Sequence, residues 1–565
     1  MKARVCGRGL LMVGFAASVQ WACSDEAGGG AMGGDPGASN GGTGGAAGSV
    51  GGTGGSGGVA GIGGTPPGSG GVASGGTGGG TAGATGGSSG STTSTGGQPD
   101  PGTAPTAITN LMIEPNPNNV LSAFVSWTTD IPAHSEVEFG VGEYQWEIAD
   151  PTLTTDHRVL VIGMHAEEDY LIRAISSNSA GSVSAEGSFT TASLPAVVPV
   201  GEVTAHDTAR AQPGWTLMNV QVGNGTANAR SNEPAMAVMY DGDGLPVWYH
   251  INGSSPDIGG AVSVDPTDRG VLFGPVGYGQ SGGESPREVD LAGNVVWECD
   301  DVTCGGAGSL SHHAGKLPNG NYVIQRDVSA GGVTAPVFEE LTPDLEVVWS
   351  VDLRDVLPAP PGASGDWCHG NSVTVDIPNN AVYMSCRWLG LIKTTYQNPS
   401  LVWHLPASYG AETLGDIAFV PESSQFSDIH DPEIHDDGTI LFFDNGGWSG
   451  MVGENTNGYR SRVLEFQLDA TTETATLVWE FPGTFTVDAW YTNEFYLPFW
   501  GDADRLENGN VLVTAGVRGP DARSRVFEVA KADGAVVWEF QLPPDFGTYR
   551  AERLSPPPLV RPVSP

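Results

Sequence analysis

Six tryptophans mark a repeated phrase in the second part of the chain. Each one ends a short apolar run, and the runs read LPVW, NVVW, EVVW, SLVW, TLVW and AVVW. They end at Trp248, Trp297, Trp349, Trp403, Trp479 and Trp538, roughly 50 to 75 residues apart. A short strand that ends in a large aromatic side chain cannot bury itself alone, so neighbouring copies must stack. A period this long leaves room for about four strands, which predicts the six blades of a β-propeller.

A second repeated phrase precedes several of these runs. Asn319-Gly320, Asp437-Gly438 and Asn508-Gly509 each lead into an apolar strand. These dipeptides supply the positive φ angles that tight hairpin turns need. No segment after residue 200 shows a sustained helical period, so we expect an all-β propeller over 200–550.

The first hundred residues have the composition of an export signal followed by a tether. Residues 1–22 have a basic start, an apolar stretch and small residues, which is typical of a secretory signal. The Ala22-Cys23 junction resembles a bacterial lipoprotein cleavage site with Cys23 as the lipidated residue; cleavage as an ordinary signal peptide is the alternative. Residues 23–103 are rich in Gly, Ser and Thr, so they lack apolar surface to offset ordering. We expect a disordered tether there.

Residues 104–193 are predicted to form a small β-sandwich between the tether and the propeller. Ala123–Trp127 resembles an early core strand of a fibronectin type III domain, and Tyr170–Ala174 resembles a later one. Tyr170 falls at the position of the tyrosine corner of such domains. We expect these residues to pack a core and the module to be a spacer or a binding accessory. At the other end of the chain, residues 551–565 read as a Pro-rich tail.

The net charge excludes one class of partner. The formal charge is −40, with 24 Lys plus Arg against 64 Asp plus Glu. Nucleic acid binding relies on clustered cations, so we expect no nucleic acid partner. An anionic small substrate would need a local cluster of Arg and His. We expect membrane contact only through the lipid anchor, in the cell envelope as an outer-membrane lipoprotein or at the cell surface.

Four cysteines remain when Cys6 is removed with the signal and Cys23 is lipidated. They are Cys299, Cys304, Cys368 and Cys386. Four cysteines allow three pairings. The simplest joins the first two and, across a hairpin, the last two. Neither pair has the CxxC spacing of a zinc site, so we expect disulfides and no metal.

Histidine is scarce, and it recurs near the start of hairpin strands. His312 lies eight residues before Gly320, and His430 lies eight residues before Gly438. Equivalent positions in a propeller lie at equivalent radii, so both histidines should face a common axis, joined by His369 from the blade between. Convergence of several histidines and an arginine is a site hypothesis.

Several longer motifs carry a family resemblance. DWCHGNSV, SCRWLGLIK, SDIHDPEIHDDGTILFFDNG and GDADRLENGNVLV resemble phrases of the bacterial arylsulfate sulfotransferases, over about residues 213–545. The resemblance implies a six-bladed propeller, often with an appended β-sandwich. It also implies transfer of a sulfuryl group from a phenolic sulfate ester to a phenol through a sulfohistidine, without phosphoadenosine or any other cofactor.

The resemblance assigns site residues one by one. His430 matches the nucleophile, and His312 or its neighbour matches a further site histidine. The groups that match the holders of the sulfate oxygens are His369, Asn371 and Arg387; the neighbour of His312 is His313. A neutral imidazole is a good nucleophile, and two successive displacements ease a hard transfer. The planar fork of arginine suits two sulfonate oxygens.

One departure from the family concerns the last blade. Relatives use a Lys-Thr pair there, whereas this chain reads Trp500-Gly-Asp-Ala-Asp-Arg505 and has no lysine. Asp502 would repel an anionic substrate unless Arg505 neutralises it, so Arg505 is a candidate substrate-binding residue.

Other polar residues have simpler explanations. Asp431, His435, Asp436 and Asp437 suggest a metal cluster, but a turn accounts for the last two. The Phe443–Gly446 phrase is expected to be a strand end and turn, and Arg462 either lines the channel or is solvated.

Two other functions stay open: a non-catalytic propeller that binds a ligand or partner, and a quinoprotein oxidoreductase. Six repeats together with the His and Arg set argue against the second.

Overall fold

The computed structural model describes most of the chain after residue 101. The described residues are 102–222, 235–252, 261–276, 285–300, 304, 306, 308–408, 417–447, 460–469, 471–488, 490, 495–497, 500–516, 523–555 and 557–563. The expected signal (1–22), Cys23 and nearly all of the expected tether (23–103) lie outside the described residues.

Residues 108–190 form an antiparallel sheet. Its strands are β1 (Ile108–Pro115), β2 (Ala123–Val141), β3 (Trp146–Val161), β4 (Asp169–Asn178) and β5 (Gly181–Thr190). Strand β2 pairs with β3 along its length, with β1 near its start and with β4 near its end, and β4 pairs with β5. Side chains of β2 alternate between buried and less buried positions, because successive residues of a strand point to opposite faces.

Trp127 and Tyr170 are core residues of this sheet, as predicted. Trp127 stacks on His157 with ring centroids 4.9 Å apart, and its indole N–H donates to Ser176 at 2.7 Å. The backbone N–H of His165 donates to the hydroxyl oxygen of Tyr170 at 2.7 Å. That the sheet is a fibronectin type III domain stays a prediction.

The rest of the described chain forms six further sheets. Their strands, and one last strand that pairs with β3, are β6 (Glu202–His206), β7 (Trp215–Val222), β8 (Ala235–Tyr240), β9 (Pro246–Ile251), β10 (Ala261–Pro266), β11 (Gly270–Val276), β12 (Arg287–Asp290), β13 (Val295–Glu298), β14 (Ser309–Lys316), β15 (Tyr322–Ala330), β16 (Val333–Leu341), β17 (Val347–Asp352), β18 (Gly365–Asp366), β19 (Gly370–Asp376), β20 (Ala381–Cys386), β21 (Gly390–Thr395), β22 (Leu401–Pro406), β23 (Ala418–Val420), β24 (Ile429–Ile434), β25 (Thr439–Asp444), β26 (Arg462–Asp469), β27 (Thr474–Phe481), β28 (Asp502–Arg505), β29 (Val511–Ala515), β30 (Arg525–Ala530), β31 (Ala535–Gln541), β32 (Phe546–Gly547), β33 (Ala551–Leu554) and β34 (Arg561–Pro562). Among the described residues, helix is limited to short segments such as α1 (Leu353–Val356) and a 3-10 turn (Glu422–Ser424). The prediction of an all-β chain is confirmed.

The six sheets follow one another in a closed succession. They consist of β7–β9 with β32 and β33, β10–β13, β14–β17 with β18, β19–β22, β23–β27, and β28–β31 with β6. Each sheet packs on the next, through the strand pairs β7–β10, β11–β14, β14–β19, β19–β24, β24–β28 and β29–β33. The hairpin glycines Gly320, Gly438 and Gly509 have φ of 86°, 81° and 84°, as their dipeptides predicted.

The repeated tryptophans join neighbouring sheets. Four indole N–H groups donate to a backbone oxygen of the following sheet. The pairs are Trp248 to Leu291 at 2.8 Å, Trp349 to Tyr396 at 2.7 Å, Trp479 to Lys531 at 3.2 Å and Trp538 to Gly242 at 3.0 Å. Trp297 reaches the next sheet by stacking on Tyr322, with ring centroids 3.7 Å apart. The repeated tryptophans therefore pack neighbouring sheets against one another, as the repeat predicted.

The C-terminal segment differs from the tail that its prolines predicted. Ala551–Leu554 form β33 and pair with Trp215–Met218 of β7. Arg561–Pro562 form β34 and pair with Trp146 and Glu147 of the N-terminal sheet. The first of these stretches contains no proline, so all its N–H groups are able to join a ladder. A strand from the C-terminal end thus completes the first of the six sheets.

Candidate active site

Three neighbouring sheets depart from regular pairing in the same place. Strands β14, β19 and β24 each carry a register shift close to their first residues. Residues with positive φ lie at these points: His312 at 47°, His369 at 54° and Asp431 at 40°. Positive φ is uncommon for residues other than glycine, and bulges redirect side chains. The irregularities turn the histidine-bearing segments out of the regular strand pattern, at the edge where neighbouring sheets meet.

His312 and His369 come from neighbouring sheets and form a ring pair. Their centroids lie 5.1 Å apart, with the ring planes at 60°. Nδ1 of His312 lies 2.6 Å from the Ser311 hydroxyl, and Nδ1 of His369 lies 2.7 Å from an Asp366 carboxylate oxygen. Trp388 packs on His369 with centroids 5.4 Å apart. Both histidines are therefore fixed in orientation by a polar neighbour.

Asp428 links Arg387 to His430. Nε of Arg387 donates to one carboxylate oxygen of Asp428 at 2.7 Å, and the other oxygen lies 4.0 Å from Nδ1 of His430. The backbone N–H of Arg387 donates to the carbonyl of His369 at 2.9 Å. Asp428 is fully buried, so this ion pair offsets part of its desolvation. His312, His369, Arg387 and His430 thus lie along one continuous set of contacts.

Asn445 is the hydrogen-bond partner of His430. Its Oδ1 lies 2.5 Å from Nδ1 of the imidazole. Its Nδ2 donates to the carbonyls of Leu497 at 2.7 Å and Trp500 at 2.6 Å. Its backbone N–H donates to the carbonyl of Asp428 at 2.9 Å, which holds the end of β25 against the start of β24. The expected strand end and turn are present, and the same residue reaches the site.

Asp444 and Arg462 brace the segment that carries Asp428. One Asp444 oxygen accepts the backbone N–H of Ser427 at 3.1 Å, and the other accepts from Nη2 of Arg462 at 2.7 Å. Arg462 is 7% exposed, so it is not a solvated strand residue. Its role is to hold a buried carboxylate.

Asn371 supports the backbone next to His430. Its Nδ2 donates to the carbonyl of Ile429 at 2.9 Å, and its Oδ1 is buried without a hydrogen-bond partner in the described part of the chain. Nη2 of Arg550 donates to the Asn371 carbonyl at 3.3 Å, and Nε of Arg550 lies 3.1 Å from Asp431. Arg550 is 1% exposed, so it is a second buried cation beside the histidines.

Arg505 does not neutralise Asp502. Its guanidinium binds Asp437 at 2.8 Å, Thr439 at 2.5 Å and Glu465. The expectation fails because residues 502 and 505 are an odd number of positions apart on β28, so their side chains leave opposite faces. The structure therefore places Arg505 in a different ion-pair cluster from the one expected.

His313 is the less suitable of the two adjacent histidines. It is 8% exposed, and its Nδ1 has no hydrogen-bond partner among the described residues. His312, not His313, makes the ring contact with His369. Burial lowers the pKa of His313 to about 3.

Both expected disulfides are present. Cys299 pairs with Cys304, and Cys368 pairs with Cys386. The second bond joins the residues that directly precede His369 and Arg387 in the sequence, and so ties these two site residues together. Two disulfides fit an exported protein.

Burial keeps the site histidines neutral. Desolvation, assisted by the charge of Arg387, holds the pKa of His430 and that of His369 well below the ordinary value. Burial and the neighbouring His369 lower the pKa of His312 to about 3. Burial raises the pKa of Asp428 to about 6, against the opposite effect of Arg387. A neutral imidazole keeps a nitrogen lone pair, which a nucleophile needs.

Residues 200–550 match the family model described as Arylsulfotransferase (ASST). The match covers more than half of the chain. The chain belongs to the arylsulfotransferase family. Membership supports an aryl sulfate and a phenol as substrate classes. No curated protein matches the chain at a significant level.

Solved structures similar to this arylsulfotransferase-family chain share little sequence with it. One is a quinoprotein alcohol dehydrogenase-like protein from Bacteroides thetaiotaomicron, with 9% identity, 76% of this chain and 94% of that chain covered, and a TM-score of 0.30. Another is the Pan2 WD40 domain from Neurospora crassa, with 11% identity, 63% and 96% covered, and a TM-score of 0.31. These TM-scores are too low to carry an argument.

Three carboxylates of strands β28 and β33 lie close together in the arylsulfotransferase chain. Oxygens of Asp502, Asp504 and Glu552 lie within 4.8 Å of one another. Burial raises the pKa of each of them well above the ordinary value, so protonation is able to neutralise them. They are the one set of described residues with the spacing of metal ligands. The set suggested by the sequence, around Asp431 and His435, does not have that spacing.

No described helix of the arylsulfotransferase chain has both the length and the apolar character needed to cross a membrane.

Sequence reasoning passed over three residues of this site. Asp428 lies within the SDIHDPEIHDDGTILFFDNG motif, where no repeat marks it, and a turn alone accounts for Asn445 in the sequence. Arg550 lies at the boundary where the tail was expected to begin. The available signal for Asn445 was its place directly after the strand predicted to follow that of His430.

Proposed function

We propose that this chain transfers a sulfuryl group from a phenolic sulfate ester to a phenol, with His430 carrying the group between the two. The observation that supports this most is a buried, neutral His430 that contacts Asn445 at 2.5 Å and is linked to Arg387 by Asp428. The family match supports the reaction class. The proposed scaffold is a six-bladed propeller, which six sheets in closed succession support.

The first step is a displacement at sulfur. Nε2 of His430 attacks the sulfur of the ester, a nitrogen–sulfur bond forms, and the sulfur–oxygen bond to the aryl group breaks. The electron pair of that bond leaves with the aryl oxygen as phenolate. The lowered pKa of His430 supplies the neutral imidazole at neutral pH. The aryl ester is itself the donor, so no phosphoadenosine cofactor takes part.

Arg387 is proposed to hold the sulfuryl oxygens during this step. Guanidinium groups bind two oxygens in a planar fork, which suits a sulfonate better than a single point charge does. The bond from Nε to Asp428 fixes the plane of the fork. Cys368, which precedes His369, is bonded to Cys386, which precedes Arg387. This bond supports the proposal that His369 binds the same oxygens.

A second histidine is proposed to handle the proton. The leaving phenolate is the conjugate base of an acid with a pKa of about 10, so it takes a proton readily. Burial keeps His312 neutral, so the phenolate takes its proton from water, and His312, which pairs with His369 at the site, is the proposed base for the acceptor phenol. In the second displacement it takes the proton of the acceptor phenol, whose oxygen attacks the sulfur of the sulfohistidine. The nitrogen–sulfur bond then breaks and neutral His430 is restored.

Arg550 is proposed to replace the lysine that relatives place near the last blade. It is 1% exposed. Burial lowers the pKa of His430 most, and the charges of Arg387 and Arg550 add to that effect. The charge of Arg550 is shared with Asp431, 3.1 Å from its Nε. This arrangement gives the site a second buried cation in a chain whose net charge is −40.

The proposed setting is the cell envelope. Residues 1–22 are proposed to direct export, Cys23 to carry a lipid, and residues 23–103 to act as a tether below a fibronectin III-like spacer. The two disulfides support an oxidising compartment.

The test of the proposed function is release of 4-nitrophenol from 4-nitrophenyl sulfate with phenol as the acceptor. We expect release that depends on phenol and is matched by formation of phenyl sulfate. His430→Ala should lower the rate about 1,000-fold or more, as removal of a nucleophile does. His206→Ala is the matched control, since His206 lies on β6, the outermost strand of its sheet, and contacts Asp243; this variant should keep the rate.

The alternative is a non-catalytic propeller that binds a ligand through the same residues. Transfer from none of a range of aryl sulfates would refute the enzyme proposal and leave the binding function. Full activity of His430→Ala would refute the assignment of the nucleophile alone.

A further inference from the structure

Asn445 has no freedom to turn its amide. Its Nδ2 donates to two carbonyls, those of Leu497 and Trp500. Both are acceptors only, so they require the NH₂ end of the amide on their side. The carbonyl end, Oδ1, must therefore face His430. Asn445 is fully buried, and the hydroxyl of Ser461 donates to its backbone carbonyl at 3.0 Å, which fixes the backbone as well.

An amide oxygen that faces an imidazole decides which ring nitrogen carries the proton. Oδ1 accepts hydrogen bonds and donates none. At 2.5 Å from Oδ1, Nδ1 of His430 must therefore be the nitrogen that bears hydrogen. In a neutral imidazole the other nitrogen, Nε2, then holds the lone pair.

We propose that Asn445 is a positioning residue that fixes the Nδ1–H tautomer of His430 and so makes Nε2 the nitrogen that receives the sulfuryl group. The part about the sulfuryl group rests on the proposed function; the tautomer does not. A neutral amide does this without adding a charge beside the imidazole, which a carboxylate would do. The nearest carboxylate, Asp428, is instead paired with Arg387.

The charged and titratable groups around His430 come from several elements. They are Asp428 and Asp431 on its own segment, Arg387 and His369 from the preceding sheet, and Tyr549 and Arg550 from the segment before β33. Burial opposes protonation of the ring most, Arg387, His369 and Arg550 add to its effect, and Asp428 is paired with Arg387. Replacing Asn445 by Asp would add an unpaired negative charge at Nδ1 and favour the protonated ring.

The first arm of the test reads the tautomer without any substrate. Long-range proton–nitrogen NMR spectra of the full chain with ¹⁵N-labelled histidine distinguish Nδ1–H from Nε2–H rings, and His430→Gln identifies the signals of His430. We expect Nδ1 of His430 to carry hydrogen in the wild type. Asn445→Ala should give a mixture of tautomers. A wild-type ring with hydrogen on Nε2 would overturn the inference, and so would an unchanged tautomer in Asn445→Ala.

The second arm uses transfer from 4-nitrophenyl sulfate. Asn445→Ala should lower kcat about 10- to 100-fold with little change in KM, as loss of an outer hydrogen bond to a reactive group does. Asn445→Asp should shift the acid limb of the kcat profile to higher pH. Asn319→Ala is the control, since Asn319 is a hairpin residue that donates to Glu340, and it should leave both unchanged.

The two arms separate this inference from the proposed function. If the wild type transfers nothing but shows the Nδ1–H tautomer, the proposed function fails and the positioning role stands. If the wild type transfers and Asn445→Ala keeps both rate and tautomer, the positioning role fails alone. Should Asn445→Ala not fold, the wild-type spectrum and the pH profile of Asn445→Asp still decide the matter.

Discussion

The ring of His312 lies edge-on to the ring of His369, with centroids 5.1 Å apart and planes at 60°. The two residues belong to different sheets, and each has a positive φ. Neither sheet would bring its histidine here with regular pairing. The contact therefore depends on a local bulge in each sheet and on the packing of one sheet against the next.

The disulfide next to the site gives a first prediction. Cys368 and Cys386 directly precede His369 and Arg387, so their bond holds both residues in register. Replacing both cysteines with serine should lower the free energy of unfolding by about 3 kcal/mol. It should also lower kcat about 100-fold, because small displacements at a reacting centre are costly.

The other disulfide provides the control for this prediction. Cys299 and Cys304 lie between β13 and β14, whereas His369 and Arg387 flank strands β19 and β20, so the double serine variant of Cys299 and Cys304 should lose some stability and keep kcat. Urea unfolding and transfer assays measure both effects. Equal losses of kcat in the two double variants would contradict a specific role of the second bond.

The buried His313 predicts how stability depends on pH. Its pKa is lowered to about 3 in the folded chain, against about 6.5 when unfolded. Below pH 6.5 the unfolded chain takes up a proton that the folded chain does not, so stability falls as the pH falls. At pH 5 this one residue lowers the free energy of unfolding by about 2 kcal/mol.

The measurement compares the wild type with His313→Phe by urea unfolding at pH 7 and pH 5. The variant should lose less stability between the two pH values than the wild type. Buried Asp428, with its pKa raised to about 6, acts in the opposite sense in both proteins and cancels in the comparison. An identical pH dependence of the two proteins would show that the pKa of His313 is not lowered in the folded chain.

Arg505 is predicted to stabilise the fold through its ion pair with Glu465 and not to bind substrate. Its guanidinium binds Glu465, which is 2% exposed and also binds Lys531. Arg505→Met should therefore lower the free energy of unfolding by about 2 kcal/mol, since a buried carboxylate loses one of its two partners.

Transfer activity distinguishes the two roles of that arginine. Arg505→Met should keep kcat/KM within about twofold, whereas Arg387→Met, the matched change at the site, should abolish most of it. A large rise in KM for Arg505→Met, measured with 4-nitrophenyl sulfate, would show that Arg505 binds the substrate.

The C-terminal strand predicts a sharp boundary for truncation. Residues 551–554 complete the first sheet by pairing with β7, whereas residues 561–562 pair only with the N-terminal sheet. A chain that ends at Arg550 should melt at least about 10 °C lower than one that ends at Leu554. Equal melting temperatures, measured by circular dichroism, would show that the pairing of β33 with β7 does not stabilise the first sheet.

The sequence predicted those features that repeat. The tryptophan runs and the Asn-Gly and Asp-Gly turns are local signals, and they predicted the strands and the hairpin turns. Asp428 and Asn445 have no such signal, because their roles depend on hydrogen bonds between strands. The prediction for Arg505 is wrong because side chains three positions apart on a strand leave opposite faces. The prediction of a tail at Ala551–Leu554 is wrong because the prolines lie only after this stretch, which is free to pair with β7.

The sulfohistidine on His430 is tested most directly by the mass of the peptide that contains His430 after brief incubation with an aryl sulfate and no acceptor. We expect a gain equal to one sulfuryl group on that peptide, lost again when phenol is added, and absent in His430→Ala. An active chain that shows no sulfuryl group on this peptide, or one that carries it on another histidine, would contradict the proposed role of His430.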